Sequence, residues 1–131
     1  MLPRLLLDTH VVLRWLNNAK KLSREQIRVL KTAEWRAEPF ALSATSLLEI
    51  AMLASEGKLT IPLEKIFQAL QGDPFQILPM TFEIASDVAV VGATLRDPSD
   101  RAIVATARVH RLRLVTSDQR IFASKLVPVV D

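Results

Sequence analysis

Apolar and polar positions alternate along this chain in blocks that switch between strand and helix periods. Leu5-Leu6-Leu7 is an unbroken apolar run, the pattern of a strand covered on both faces. It stops at Asp8-Thr9-His10, and a helical pattern follows through Val12, Leu13, Trp15 and Leu16, ended by Asn17-Asn18. Ser23-Arg-Glu-Gln26 has capping-box spacing and opens a helix expected to reach about Ala37. Phe40 to Ser43 reads as a second strand. Ser46-Leu-Leu-Glu49 repeats the capping-box spacing and predicts a helix that Gly57 stops. Ile61-Pro62 begins another helix, to about Gln71, and Gly72-Asp73-Pro74 makes a turn into a short strand from Phe75 to Leu78. Thr81 to about Leu95 reads as helical, with Gly92 a weak point. Asp97-Pro98 opens a helix to about His110, with proline at the favoured first position. Leu112 to Thr116 is a fourth strand, and Leu126 to Val130 a short edge strand.

Strands and helices that alternate in this way build βαβ units. The expected fold is α/β: one domain, residues 1–131, forming a three-layer α/β/α sandwich around a mostly parallel sheet of four to five strands. No repeat, low-complexity tract or flexible linker divides the chain. In such sheets ligands bind off the carboxyl ends of the strands.

Composition narrows the chemistry. There is no cysteine, which excludes disulfides, thiolate metal sites and thiol nucleophiles. Neither a G-x-S-x-G, a P-loop nor a G-x-G-x-x-G is present. No window approaches the roughly 18 apolar residues of a membrane span, and the N-terminus lacks a signal-peptide layout; a soluble, cytoplasmic protein is expected. The net charge of +3 mildly favours a polyanionic partner. Arg101, Arg108, Arg111, Arg113 and Arg120 crowd one stretch against a single acid, Asp118; the last four could form a phosphate-binding rim, and Arg101 could contact a phosphate backbone or neutralise nearby acids. Trp15 and Trp35 belong to core or interface packing, and the high hydrophobic content, 50%, suggests apolar surface that a partner covers.

Acids fall where the sheet should bind its ligand. Asp8 ends the first strand, Glu49 lies in the first turn of the helix after the second, Asp100 lies in the first turn of the helix opened by Asp97-Pro98, and Asp118 follows the strand ending at Thr116. Each also has an ordinary role: Asp8 and Asp97 as N-caps, Glu49 in a capping box, Asp100 favoured by the helix dipole, Asp118 in a turn. Gathered on one rim, they would repel one another and raise their pKa values. A hard divalent cation, Mg²⁺ or Mn²⁺, relieves that repulsion with oxygen ligands alone, and can activate water against a phosphate.

Asp8-Thr9-His10, Glu49 within SLLEIAMLASEGKL, DPSDRAIVATA from Asp97, and LVTSD ending at Asp118 together resemble the PIN-domain family, and in particular its VapC-like toxin ribonucleases. The likeness spans the whole chain in order. It implies the same α/β/α sandwich and Mg²⁺- or Mn²⁺-dependent hydrolysis of RNA phosphodiesters by metal-activated water. It places Asp8, Glu49, Asp100 and Asp118 as catalytic and metal-binding acids. Thr9, Asp97, Arg101, Thr116 and Ser117 become supporting or substrate-contacting candidates. His10 stands where many members carry Ser or Asn, and no ligand role is assigned to it. The implied partners are RNA, a small VapB-like antitoxin and a second copy of the chain in a homodimer, with no membrane. Two other readings stay open: an inactive PIN-like binding or scaffold module, and a metal-dependent nuclease acting on DNA.

Overall fold

The computed structural model describes residues 2–131. Among the described residues five strands form one sheet, with seven α-helices around it: the strands are β1 (Leu5–Leu7), β2 (Phe40–Ser43), β3 (Phe75–Leu78), β4 (Arg113–Val115) and β5 (Val129–Val130). Their order is β3-β2-β1-β4-β5, and every neighbouring pair is parallel. The helices that connect them are α1 (Thr9–Asn17), α2 (Arg24–Trp35), α3 (Ala44–Ser55), α4 (Leu63–Leu70), α5 (Phe82–Val91), α6 (Pro98–His110) and α7 (Gln119–Ser124). A 3₁₀ turn, Ala19–Lys21, separates α1 from α2.

Side chains of a strand alternate between faces, and here both faces are buried. Leu5, Leu7, Phe40, Leu42 and Val115 pack with α1, α2, α3 and α4. Leu6, Ala41 and Leu114 point the other way, into a second core built from α5, α6 and α7. This explains why β1 and β2 carry no polar alternation: both of their faces lie in a dry layer, where each fully buried leucine contributes about 2 kcal/mol. Phe40 is wholly buried and meets Trp15 edge-to-face and Phe75 at a tilt, with centroids 6.2 and 5.9 Å away. Trp15 is thus core-facing, whereas Trp35 stands 88% exposed.

Several boundaries differ from those the sequence suggests. The capping box at Ser46–Glu49 does not form. β2 runs straight into α3, and Ser43 is the cap, accepting from Thr45 N–H at 3.1 Å. Glu49 therefore lies in the second helical turn, not the first. At the other end of α3, Gly57 adopts φ +68°, and the bonds from Gly57 N–H to Ala54 O and Lys58 N–H to Leu53 O close a Schellman motif. Helix α5 stops at Val91 rather than Leu95, with Gly92 as its C-cap. Pro62 precedes its helix instead of starting it. Helix α7, capped by Asp118, occupies a stretch the periodicity leaves as loop. Arg108, a candidate for the phosphate rim, instead pairs with Asp87 of α5 at 2.8 Å and donates to Leu126 O at 2.9 Å, tying α6 to both neighbours.

The sheet sets the position of the site. The chain moves from β1 outward through β2 to β3, then returns across β1 to lay down β4 on its far side. The order of building therefore reverses between β1 and β4. In open parallel sheets this reversal opens a crevice off the carboxyl ends of the two strands.

Candidate active site

Asp8 and Thr116 stand at that crevice, each one residue past its strand. Backbone bonds hold them there: Asp8 N–H donates to Val115 O at 3.0 Å, and Thr116 N–H to Val130 O at 3.2 Å. Both residues are buried. Asp8 is also the N-cap of α1, its Oδ1 accepting from Thr9 N–H at 2.8 Å. Its other oxygen, Oδ2, accepts from the Thr116 hydroxyl at 2.7 Å. Thr116 Oγ1 accepts in turn from Asp118 N–H at 3.1 Å. One hydroxyl thus sets the rotamer of Asp8 and the start of α7.

Around Asp8 stand the other acids. Glu49 is half-buried and reached from α1, where Thr9 Oγ1 donates to Glu49 Oε1 at 2.5 Å and lies 2.8 Å from Ser46 Oγ. Asp97 caps α6, accepting from Asp100 N–H at 3.0 Å. Asp118 caps α7, accepting from Arg120 N–H at 2.9 Å. Capping and clustering are therefore compatible, since three of the helices that begin at this edge, α1, α6 and α7, are each capped by an aspartate.

The acids feel one another. Burial, and then the charges of Asp97, Asp118 and Asp8, push Asp100 up to about 6. Burial raises Glu49 as well, with Asp8 and Asp97 adding to it and the Thr9 bond opposing it. Asp118 moves down instead, because the Arg120 side chain donates to it. That guanidinium grips Asp118 through Nη2–Oδ2 at 3.0 Å and Nε–Oδ1 at 3.3 Å, and its Nη2 lies 3.7 Å from Asp100 Oδ2. Among the described residues, no three Asp, Glu or His side chains stand in a ready-made metal cage. The donor chemistry nonetheless fits a hard divalent cation: carboxylate oxygens of several elements share one rim, and their like charge adds to the upward shifts of Glu49 and Asp100.

Several supporting contacts were not legible in the sequence. His10 Nε2 accepts from Ser117 N–H at 2.9 Å, so its proton sits on Nδ1, facing Asp8 Oδ2 at 3.6 Å. Burial lowers its pKa, which keeps the ring neutral and able to accept. Gln26, which closes the α2 capping box, also reaches Ser117 Oγ at 3.2 Å and Val130 O at 3.3 Å. Ser46 is buried against Thr9. Arg101 turns from the acids, donating through Nε to Leu95 O at 2.5 Å. Apart from the Arg101–Leu95 bond, which spans six residues, these links have no local signature; they join residues brought together only by the fold.

A fold of this topology with acids at its switch point is that of a PIN domain, and the chain belongs to that family, whose sequence profile matches residues 5–125. Its relatives include ribonuclease VapC22 of Mycobacterium tuberculosis, 34% identical over 119 residues, which are 88% of this chain and 88% of that one. Among solved structures, a chain of a toxin–antitoxin complex from Klebsiella pneumoniae is 25% identical with a TM-score of 0.68, covering 96% of this chain and 95% of that one. VapBC2 from Rickettsia felis, solved with a DNA fragment from their promoter, gives a TM-score of 0.72 over 98% of this chain and 97% of that one. At 14% identity that likeness is one of fold alone. Among the described residues no helix is long and apolar enough to cross a membrane.

Proposed function

We propose that this chain is a divalent-metal-dependent endoribonuclease, the toxin of a toxin–antitoxin pair. The observation that carries this reading is the coupled carboxylate rim at the switch point, with Asp100 raised to about 6 by burial and like charge. The relationship to ribonuclease VapC22 supports RNA as substrate.

Asp8 and Asp100 would hold Mg²⁺ or Mn²⁺ directly. Glu49 would join them or orient a water, and Asp118 would complete the rim when RNA is present. Such a cation, when bound, acidifies a water and offsets phosphate charge. The chain's own residues do the positioning. Thr9 and Thr116 fix the oxygens of Asp8, so the carboxylate need not reorganise, and Thr9 also steers Glu49. Asp97 holds the first turn of α6, which carries Asp100. Ser117 is held between His10 and Gln26 at the mouth. Arg101 secures the loop before α6 and so acts on the site through backbone position. A small VapB-like antitoxin and a second copy of the chain are the proposed partners. Exposed Phe82, Trp35, Leu48 and Met52 supply apolar surface for such contacts.

Metal loading should follow pH. A carboxyl raised to about 6 must lose its proton to become a ligand. Mn²⁺ affinity measured by calorimetry should therefore rise between pH 5 and pH 7, by up to about tenfold per unit below the midpoint. A flat profile would remove Asp100 from the ligand set. Folding has the opposite sign: the native state binds the proton more tightly than the unfolded chain, so stability falls as pH rises from 3.8 towards 6.

The decisive experiment incubates partner-free protein with RNA or DNA and Mn²⁺, alongside Mn²⁺ calorimetry of wild type and an Asp8→Asn/Asp100→Asn double variant. RNA cleavage that chelator abolishes, with metal binding lost in the variant, is expected. Binding with cleavage of DNA alone would favour the DNA nuclease. No metal binding by folded wild type would favour a scaffold.

A further inference from the structure

Arg120 is the one Lys or Arg among the described residues that ion-pairs with any of the four rim acids, and it pairs with two of them. Its backbone is fixed, because its N–H donates to Asp118 Oδ1. Its side chain is 75% exposed and enters the rim from the solvent side. The same guanidinium lines a cleft of about 230 Å³ with Arg96, Asp97 and Asp100. A planar guanidinium matches a carboxylate and a phosphate equally well, since both offer paired oxygens to its fork.

We propose that Arg120 is an exchange residue: it competes with the divalent cation for Asp100 and Asp118, and on displacement turns to a phosphate of the nucleic-acid substrate. This rests on the metal-dependent reading above. The guanidinium lies 3.7 Å from Asp100 Oδ2 and hydrogen-bonds Asp118, so a cation entering at Asp100 meets its charge first, and recruiting Asp118 with RNA must break the second pair. Once released, the side chain is still tethered by the first turn of α7 beside the same cleft. There it meets substrate oxygens with no acid to hold it back. Arg120 therefore opposes one binding event and favours the next, which a purely structural residue does not do.

Two readouts on Arg120→Ala test this, with Arg96→Ala as a control for loss of a positive charge in the same cleft. Mn²⁺ affinity is measured by calorimetry at low ionic strength. RNA affinity is measured as anisotropy of a short, labelled, mixed-sequence single strand at saturating Mn²⁺, with the probe checked for integrity. The expected result is opposite signs in Arg120→Ala: Mn²⁺ Kd falls at least about threefold, because a competing cation is gone, and RNA Kd rises at least about threefold with a lost phosphate contact. The Mn²⁺ change should shrink in high salt and be weaker in Arg96→Ala. Unchanged or weaker Mn²⁺ binding, an unchanged RNA Kd, or an equal Mn²⁺ gain in Arg96→Ala would each overturn the exchange while leaving the metal site standing. If neither wild type nor Arg120→Ala binds Mn²⁺, the metal-dependent reading itself falls and takes the exchange with it.

Discussion

Asp100→Asn should reduce RNA cleavage by at least about 100-fold and leave the protein folded. Replacing one ligand of a catalytic cation removes several kcal/mol of charge stabilisation, and each 1.36 kcal/mol is a factor of ten in rate. Asparagine keeps the shape of the side chain, and the α6 cap is untouched because Asp97 provides it. Removing one charge from a repelling rim should, if anything, raise the melting temperature near pH 8. Cleavage assays and thermal melts run side by side would check both halves. Activity within tenfold of wild type would exclude Asp100 as a ligand. A collapsed melting curve would instead mean that its carboxylate is structural. Asparagine is also the right choice at Asp8, since its amide oxygen can still accept from Thr9 N–H, whereas alanine would strip the cap and confuse a folding defect with a chemical one.

Thr116→Val should show the second large effect, on stability and site together. The substitution is nearly isosteric, yet it removes the donor to Asp8 Oδ2 and the acceptor for Asp118 N–H at a fully buried position. A buried acceptor left without its partner costs about 1–3 kcal/mol, a fall in melting temperature of roughly 4–10 °C for a chain this size. An outer hydrogen bond of this kind is also worth about 10–100-fold in metal affinity. Thr116→Ser restores the hydroxyl and should recover most of the Mn²⁺ affinity. If Thr116→Val melts and binds Mn²⁺ like wild type, the hydroxyl is dispensable.

Sequence reasoning reached the sheet because its signals are local. Leu5–Leu7 and the Phe40-Ala41-Leu42 run are apolar on both faces, and only a strand inside two helical layers needs that. Asp97-Pro98 marks its helix start correctly, as cap and first-turn proline are adjacent in the chain. Glu49 reads from the sequence as a first-turn residue but lies in the second turn of the same helix: Ser46-x-x-Glu49 imitates a capping box, while Ser43, three residues earlier, caps the helix as β2 ends. Helix α7 is only six residues long, too short for a 3.6 period to show. The acids could be placed at one edge by counting strand ends. Their supports could not. Thr116 and Asp8 are 108 residues apart, Ser117 and His10 107, Gln26 and Ser117 91, and no spacing rule links such pairs. Arg120 could be noticed as a basic residue near Asp118, but its reach to Asp100 depends on how α6 and α7 meet.

The pairing of β1 with β4, and of Thr116 with Val130 beyond it, has a consequence for synthesis. On the ribosome Asp8 and Glu49 emerge early, but the strand that seats Asp8 and the hydroxyl that sets its rotamer emerge more than a hundred residues later. Until Val130 has left the exit tunnel, Gln26 and Thr116 lack an acceptor that both use. A nascent chain that has not reached Thr116 therefore lacks the donor that sets Asp8, and one short of Val130 lacks the acceptor that ties Gln26 and Thr116 to the last strand.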